Sequence, residues 1–145
     1  MKLSVEQIPI KNEEEVIVRC YSEKAKWVDA IRSVTAGELT INATADEKVY
    51  RIRLSDVFYF EIVEGKSFLY CQQSVFECKQ KLYEFEKLCR NSMLFRCSKS
   101  MILNADKIKY VRPSVSGRFE ATLTNDEKVI ISRQYVGELK RKLEV

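Results

Sequence analysis

The side chains of this chain that could do chemistry are mostly cations and small polar groups. Its 25 Lys and Arg supply ammonium and guanidinium groups, several of them beside hydroxyl or amide donors. Such sets suit phosphate oxygens and base edges: Lys and Arg neutralise phosphate or reach guanine O6/N7, Gln pairs with adenine, and Ser donates to phosphate. Covalent chemistry is poorly supplied. No histidine occurs anywhere, which removes Ser-His and Cys-His nucleophile systems, histidine proton shuttles and most catalytic zinc sites. The five cysteines, Cys20, Cys71, Cys78, Cys89 and Cys97, are odd in number and lack C-x-x-C spacing, so neither a disulfide framework nor a zinc site is indicated. They read as buried thiols serving as small apolar residues. We therefore expect no enzyme, no metal and no cofactor.

Charge is distributed unevenly. Residues 1–95 carry 14 Lys/Arg and 15 Asp/Glu, whereas residues 96–145 carry 11 and 6, a net of −1 against +5. A basic C-terminal third suits a polyanionic partner, although inert surfaces also reach such values. The balance of 46% hydrophobic and 32% charged residues is that of a globular chain with material for a core. No apolar run approaches the roughly 18 residues that a membrane span needs, and Met1-Lys2-Leu3-Ser4 leads into acidic sequence rather than an apolar signal core. A cytoplasmic location is expected.

Several elements must position those side chains. Val16-Ile17-Val18-Arg19-Cys20 is a β-branched run with strand character, and Ser22 can cap a helix from Lys24 to about Val34. Ala25, Val28, Ala30, Ile31 and Val34 give that helix an apolar face, and Gly37 offers its stop. Residues 1–36 thus form a strand-helix extension to a domain spanning 37–145. Past Gly37 the hydrophobic period falls to two over 39–43, 49–54 and 57–62. Asp46-Glu47 and Ser55-Asp56 make the connections, and Glu64-Gly65-Lys66 makes a hairpin into Phe68-Leu69-Tyr70-Cys71. A meander is the simplest reading. Gln80 to Arg90 is an amphipathic helix carrying Leu82, Phe85 and Leu88-Cys89. Leu94-Phe95-Arg96-Cys97 follows, then strands at 108–112, 118–123 and 128–131, and Ser132 caps a closing helix with Val136, Leu139 and Leu143 inward.

From Leu54 to Leu143 these elements carry four ordered blocks. Leu54-Ser55-Asp56-Val57-Phe58-Tyr59-Phe60-Glu61 leads to Gly65-Lys66, the amphipathic helix ends near Leu88, and Phe95-Arg96-Cys97-Ser98-Lys99-Ser100-Met101-Ile102-Leu103-Asn104 follows. Gly117-Arg118 and Ile131-Ser132-Arg133-Gln134-Tyr135 before Leu139-Lys140 complete the set. In that order they resemble the LytTR DNA-binding domain family. The resemblance implies a mostly β fold with few helices, an elongated antiparallel β-sandwich of short sheets. It also implies sequence-specific binding of double-stranded DNA by loops that enter successive major grooves, unlike readers that use a recognition helix. The loops around Lys66-Ser67, Ser98-Lys99-Ser100 and Ser132-Arg133-Gln134 are then the DNA-facing places, with Arg118 beside them. Two positions depart from the family pattern. Ser98 stands where histidine is common, and Gln134 replaces a frequent second arginine, so the sequence preference is expected to differ. Many relatives carry a receiver domain, for which the first 36 residues are too few, so control by phosphotransfer within the chain is not expected.

Each candidate also has an ordinary reading. Lys66 and Ser67 lie where a turn wants polar residues, Lys99 can be a solvated loop lysine, and Ser98 and Ser100 can bond their own loop. Arg133 can pair near the closing helix, Gln134 needs no role in a first helical turn, and Arg118 can face solvent from a strand edge. Arg96 and Asn104 admit direct binding, or a structural part as a salt bridge and a turn. For Cys97 the buried strand cysteine outweighs a redox switch, and Val129 across from it is no bonding partner. Two other functions compete with DNA binding: a protein–protein interaction module acting through a sheet edge or the N-terminal helix, and a single-stranded RNA-binding β domain. The latter would want exposed aromatic residues among the cations. The expected partners are duplex DNA, a second copy of the chain on repeated half-sites and, as the resemblance permits, an inhibiting membrane protein.

Overall fold

A computed structural model describes residues 1–9, 15–35, 39–90 and 92–145. It divides into two compact units, Met1–Gly37 and Glu38–Val145.

In the first unit Ser22 starts a turn. Its Oγ accepts the Lys24 N–H at 3.3 Å, and its carbonyl accepts from Ala25. Helix α1, Lys26–Thr35, follows, with Val28 buried and Ile31 half-buried. The stop expected at Gly37 lies outside the described residues. The strand expected at 16–20 does not form: residues 15–20 hold no regular secondary structure. A strand is defined by its ladder of partner bonds, and no pairing among the described residues includes this segment. Val16 and Ile17 are exposed.

The second unit is mostly β, and every strand pairing is antiparallel. A seven-stranded sheet contains β1 (Thr40–Ala45), β2 (Lys48–Arg53), β3 (Tyr59–Val63), β4 (Lys66–Tyr70), β5 (Val75–Cys78), β6 (Leu94–Arg96) and β7 (Met101–Asn104). Its order, β2-β1-β5-β4-β3-β7-β6, corrects the meander. The hairpin β1–β2 joins the sheet through Thr44 opposite Glu77 of β5, so neither β2 nor β1 lies beside β3. The other sheet, β10-β9-β8, holds β8 (Ile108–Pro113), β9 (Phe119–Leu123) and β10 (Lys128–Ile131). The turns expected at Asp46-Glu47 and Glu64-Gly65 form, with Asp46, Glu47 and Glu64 at positive φ, and Asp126 between β9 and β10 is also at positive φ.

Alternation along β3, β6 and β7 creates two cores, one on each face. Phe60, Leu94 and Ile102 join Leu69, Val57 and Ile41 in the first. Helix α2 (Leu82–Leu88) closes it with Phe85, whose ring stacks on Phe60 at 4.4 Å between centroids. Phe95 and Leu103 instead join Phe58, Cys97, Ala121, Leu123 and Ile131 in the second core, where α3 (Val136–Leu143) contributes Leu139. Burying each such large apolar side chain contributes on the order of 1.5–3 kcal/mol. Ser132 was expected to cap the closing helix, but its hydroxyl makes no capping bond. Its N–H donates to the Cys97 carbonyl at 2.9 Å, and its carbonyl accepts from Tyr135. The backbone thereby ties the end of β10 to the end of β6.

Candidate nucleic-acid interface

That tie brings together loops far apart in sequence. An open cleft of about 680 Å³ is lined by Ser98, Lys99, Ser100, Arg118, Ser132, Arg133 and Gln134. Six of the eight sequence candidates meet here, together with Ser132. The lining has three cations and no carboxylate.

The connection from β6 to β7 supplies Ser98, Lys99 and Ser100. Strand β7 begins at Met101, whose carbonyl accepts the Cys97 N–H at 3.1 Å and so fixes the width of the loop. Within it Ser98 Oγ accepts the Ser100 N–H at 3.3 Å, the local bonding expected of such serines. Lys99 at the tip is exposed.

The β8–β9 connection supplies Arg118 after Gly117, whose φ of +75° is the left-handed region that glycine enters without a Cβ clash. The missing side chain also makes room. A Cβ at Gly117 would lie 3.1 Å from Arg133 Cδ and 3.2 Å from its Cγ, so the Arg133 stem crosses over the bare glycine. The Gly-Arg pair on a turn between strands was a signal available in the sequence, but its spatial relation to Arg133 was not.

Electrostatically the cleft differs from the sheet beside it. Arg112 and Lys128 share Glu120, and Lys109 pairs with Asp126. Among the described residues, Lys99, Arg118 and Arg133 form no such ion pair. Their field is therefore offered to solvent and to any anion that enters.

The β3–β4 hairpin stands beside the cleft. The Ile62 N–H donates to the Ser100 carbonyl at 2.9 Å, and Ile62 lies opposite Ser67 in the ladder. Lys66 is exposed at this end of the sheet but does not line the cleft. Ser67 is buried, and its Oγ donates to the Gln80 carbonyl at 2.6 Å just before α2. It shares the inward face with Leu69, two residues on, a period-two signal that the sequence did contain. Asn104 is also structural. Its Nδ2 donates to the Val57 carbonyl at 2.8 Å, and its Oδ1 accepts the Asp106 N–H at 3.0 Å.

Cys97 lies fully buried beneath the cleft, with burial as the main cause pushing its thiol up to about 12. Burial likewise raises Cys89 to about 12 and Cys71 to about 11. Such thiols hold little thiolate at neutral pH. Among the described residues no group of three or more His, Cys, Asp or Glu side chains could hold a metal ion. No described helix is long and apolar enough to cross a membrane.

The second unit is thus mostly β and carries a basic, carboxylate-free cleft made of sheet-end loops. The LytTr DNA-binding domain family matches residues 47–144, and the chain belongs to that family. It is similar to the sensory transduction protein LytT of Enterococcus faecalis, 28% identical over 98 residues, which are 68% of this chain and 40% of that protein. It is likewise similar to the transcriptional regulatory protein YpdB of Escherichia coli K12, 28% identical over 110 residues, 75% of this chain and 45% of that protein. The chain thus spans less than half the length of these relatives. A LytTr DNA-binding domain of a methyl-accepting/DNA response regulator from Bacillus cereus has the same fold. Its TM-score is 0.69 at 25% identity, covering 75% of this chain and all of that one.

Proposed function

We propose that this chain is a sequence-specific, duplex-DNA-binding regulator of transcription that presents its loops to the major groove. The observation that carries this reading is the cleft in which Lys99, Arg118 and Arg133 converge without carboxylates, on a fold whose family is defined by DNA binding. Lys99 at a loop tip suits a phosphate, which fixes register without reading sequence. Arg133 and the neighbouring amide of Gln134 suit base edges, guanine O6/N7 for the first and adenine N6/N7 for the second. Lys66, on the adjacent hairpin, suits the backbone one step along the duplex. No lining residue is aromatic, so the cleft offers no stacking platform of the kind that holds single-stranded bases.

Binding as two copies on repeated half-sites belongs to the same proposal. A protein-partner role attaches to the first unit, where Val16 and Ile17 are exposed. There, deleting residues 1–36 is expected to change oligomeric state or solubility while DNA contacts persist. The test of the main reading is selection of bound duplexes from a random pool by the full chain at stated salt. An enriched motif, repeated at a fixed spacing, is the expected result. A pool that stays random, with binding that is only salt-dependent, would contradict sequence-specific reading.

A further inference from the structure

Arg96 closes β6 immediately before the loop that carries Lys99, and each of its three guanidinium nitrogens has a partner within the protein. Nε donates to the Ser98 carbonyl at 2.6 Å and Nη2 to the Lys99 carbonyl at 2.6 Å. Nη1 donates to the Glu86 carboxylate of α2 at 3.0 Å, and Cζ lies 5.8 Å from the centre of the Tyr135 ring. Its side chain is 27% exposed. One planar group therefore touches the first loop twice, the helix behind it, and the residue that follows Arg133-Gln134.

We propose that Arg96 is a positioning residue of the DNA face and does not itself contact DNA; this rests on the cleft being that face. The Nε–H and one N–H on each Nη are committed to the protein, which leaves a phosphate only the second N–H of each Nη. Holding those carbonyls on the guanidinium keeps two electronegative oxygens turned away from an incoming polyanion and leaves Lys99 at the tip. It also sets the loop before DNA arrives, which removes ordering cost from the binding step. Tyr135 extends the same hold to the segment bearing Arg133 and Gln134. The geometry needs the planar fork of arginine. A lysine keeps the charge but cannot reach two carbonyls and a carboxylate in fixed directions.

This makes the two explanations of Arg96 separable. Arg96→Lys, Arg96→Gln and Glu86→Gln are compared with the parent chain by amide hydrogen exchange without DNA, and by titration with the selected and a scrambled duplex at two salt concentrations. Amides of residues 98–100 are expected to exchange about tenfold faster or more in both Arg96 variants, as charge-assisted bonds are lost, while core amides at Phe60 and Ile102 hold. Glu86→Gln, which leaves both carbonyl bonds in place, is expected to loosen the same amides by less. On DNA, both Arg96 variants should lose about tenfold on the selected duplex with the salt slope unchanged, because no phosphate contact disappears. Rescue by lysine, with a slope reduced by about one unit in Arg96→Gln, overturns the proposal in favour of direct phosphate contact. Unchanged loop exchange in Arg96→Lys and Glu86→Gln also overturns it. The exchange experiment contains no DNA, so loosened loops together with a parent chain that binds no duplex would sink the reading of the cleft and leave the pin standing.

Discussion

Lys99 and Lys66 occupy turns that stand side by side at one end of the same sheet, yet their neighbours differ. Around Lys99, the two serines and the cations of two other connections converge on one open cleft. Beside Lys66, Ser67 turns inward and spends its hydroxyl on the Gln80 carbonyl. The difference lies in where each strand starts. Strand β4 already begins at Lys66, so Ser67 falls under the alternation of the pleat and takes an inward place. Strand β7 begins only at Met101, leaving residues 98–100 outside the ladder. In these two turns, polar residues outside the ladder stay open to a partner, whereas Ser67 at an inward ladder position is bonded within the protein.

The comparison is sharpened by substitutions whose effects should differ in kind. The largest is expected from Arg133→Ala, at roughly 1–3 kcal/mol on the selected duplex with relaxed preference at one base position; Gln134→Ala should act likewise, more weakly, at an adenine. A competition titration across single-base variants of the duplex reads both. Gly117→Ala should cost about 1–2 kcal/mol of stability, because a side chain is forced into the left-handed region, and it should weaken binding in the same direction as Arg133→Ala by displacing that stem. Denaturant unfolding and the same titration measure the two parts.

Smaller, and indifferent to sequence, is Lys99→Ala, which should weaken all duplexes alike and lower the salt slope by about one unit. On the hairpin side Ser67→Ala should leave affinity and slope untouched while costing about 1 kcal/mol of stability through the lost buried bond. A loss of affinity in folded Ser67→Ala would erase the contrast between the two turns. Smallest of all, thiol labelling at pH 8 should modify exposed Cys20 rapidly and Cys97 only on unfolding, since burial suppresses its thiolate. Rapid Cys97 labelling would reopen a redox role beneath the cleft.

Much of the second unit was legible because local chemistry wrote it. Asp46-Glu47 and Glu64-Gly65 mark turns by residues that tolerate or favour positive φ, and the apolar spacing of Phe85 and Leu139 marks two helix faces. What escaped was pairing. Strand β5 is four residues long and alternates in burial, but apolar Val75 at an exposed position blurs that pattern in the sequence, and β7 is buried on both sides at Ile102 and Leu103. The link between β1 and β5 depends on a partner more than thirty residues away, which no local period records. Val16–Cys20 shows the reverse: its β propensity suggests a strand, but propensity supplies no partner. At the site, the family resemblance pointed to eight residues, six of which line the cleft. Burial removed Ser67, and the roles of Gly117 and Arg96 depend on contacts across loops that sequence spacing does not reveal.

We propose that the cleft formed by residues 98–100, 117–118 and 132–134 is the face that meets duplex DNA. Amide chemical-shift changes on titrating the full chain with its selected duplex test this directly. The largest changes are expected at Lys99, Ser100, Arg118, Arg133 and Gln134, smaller ones at Lys66, and none at the β1–β2 hairpin. Changes confined to the β1–β2 hairpin or the first unit, with Lys99 and Arg133 unmoved, would contradict it.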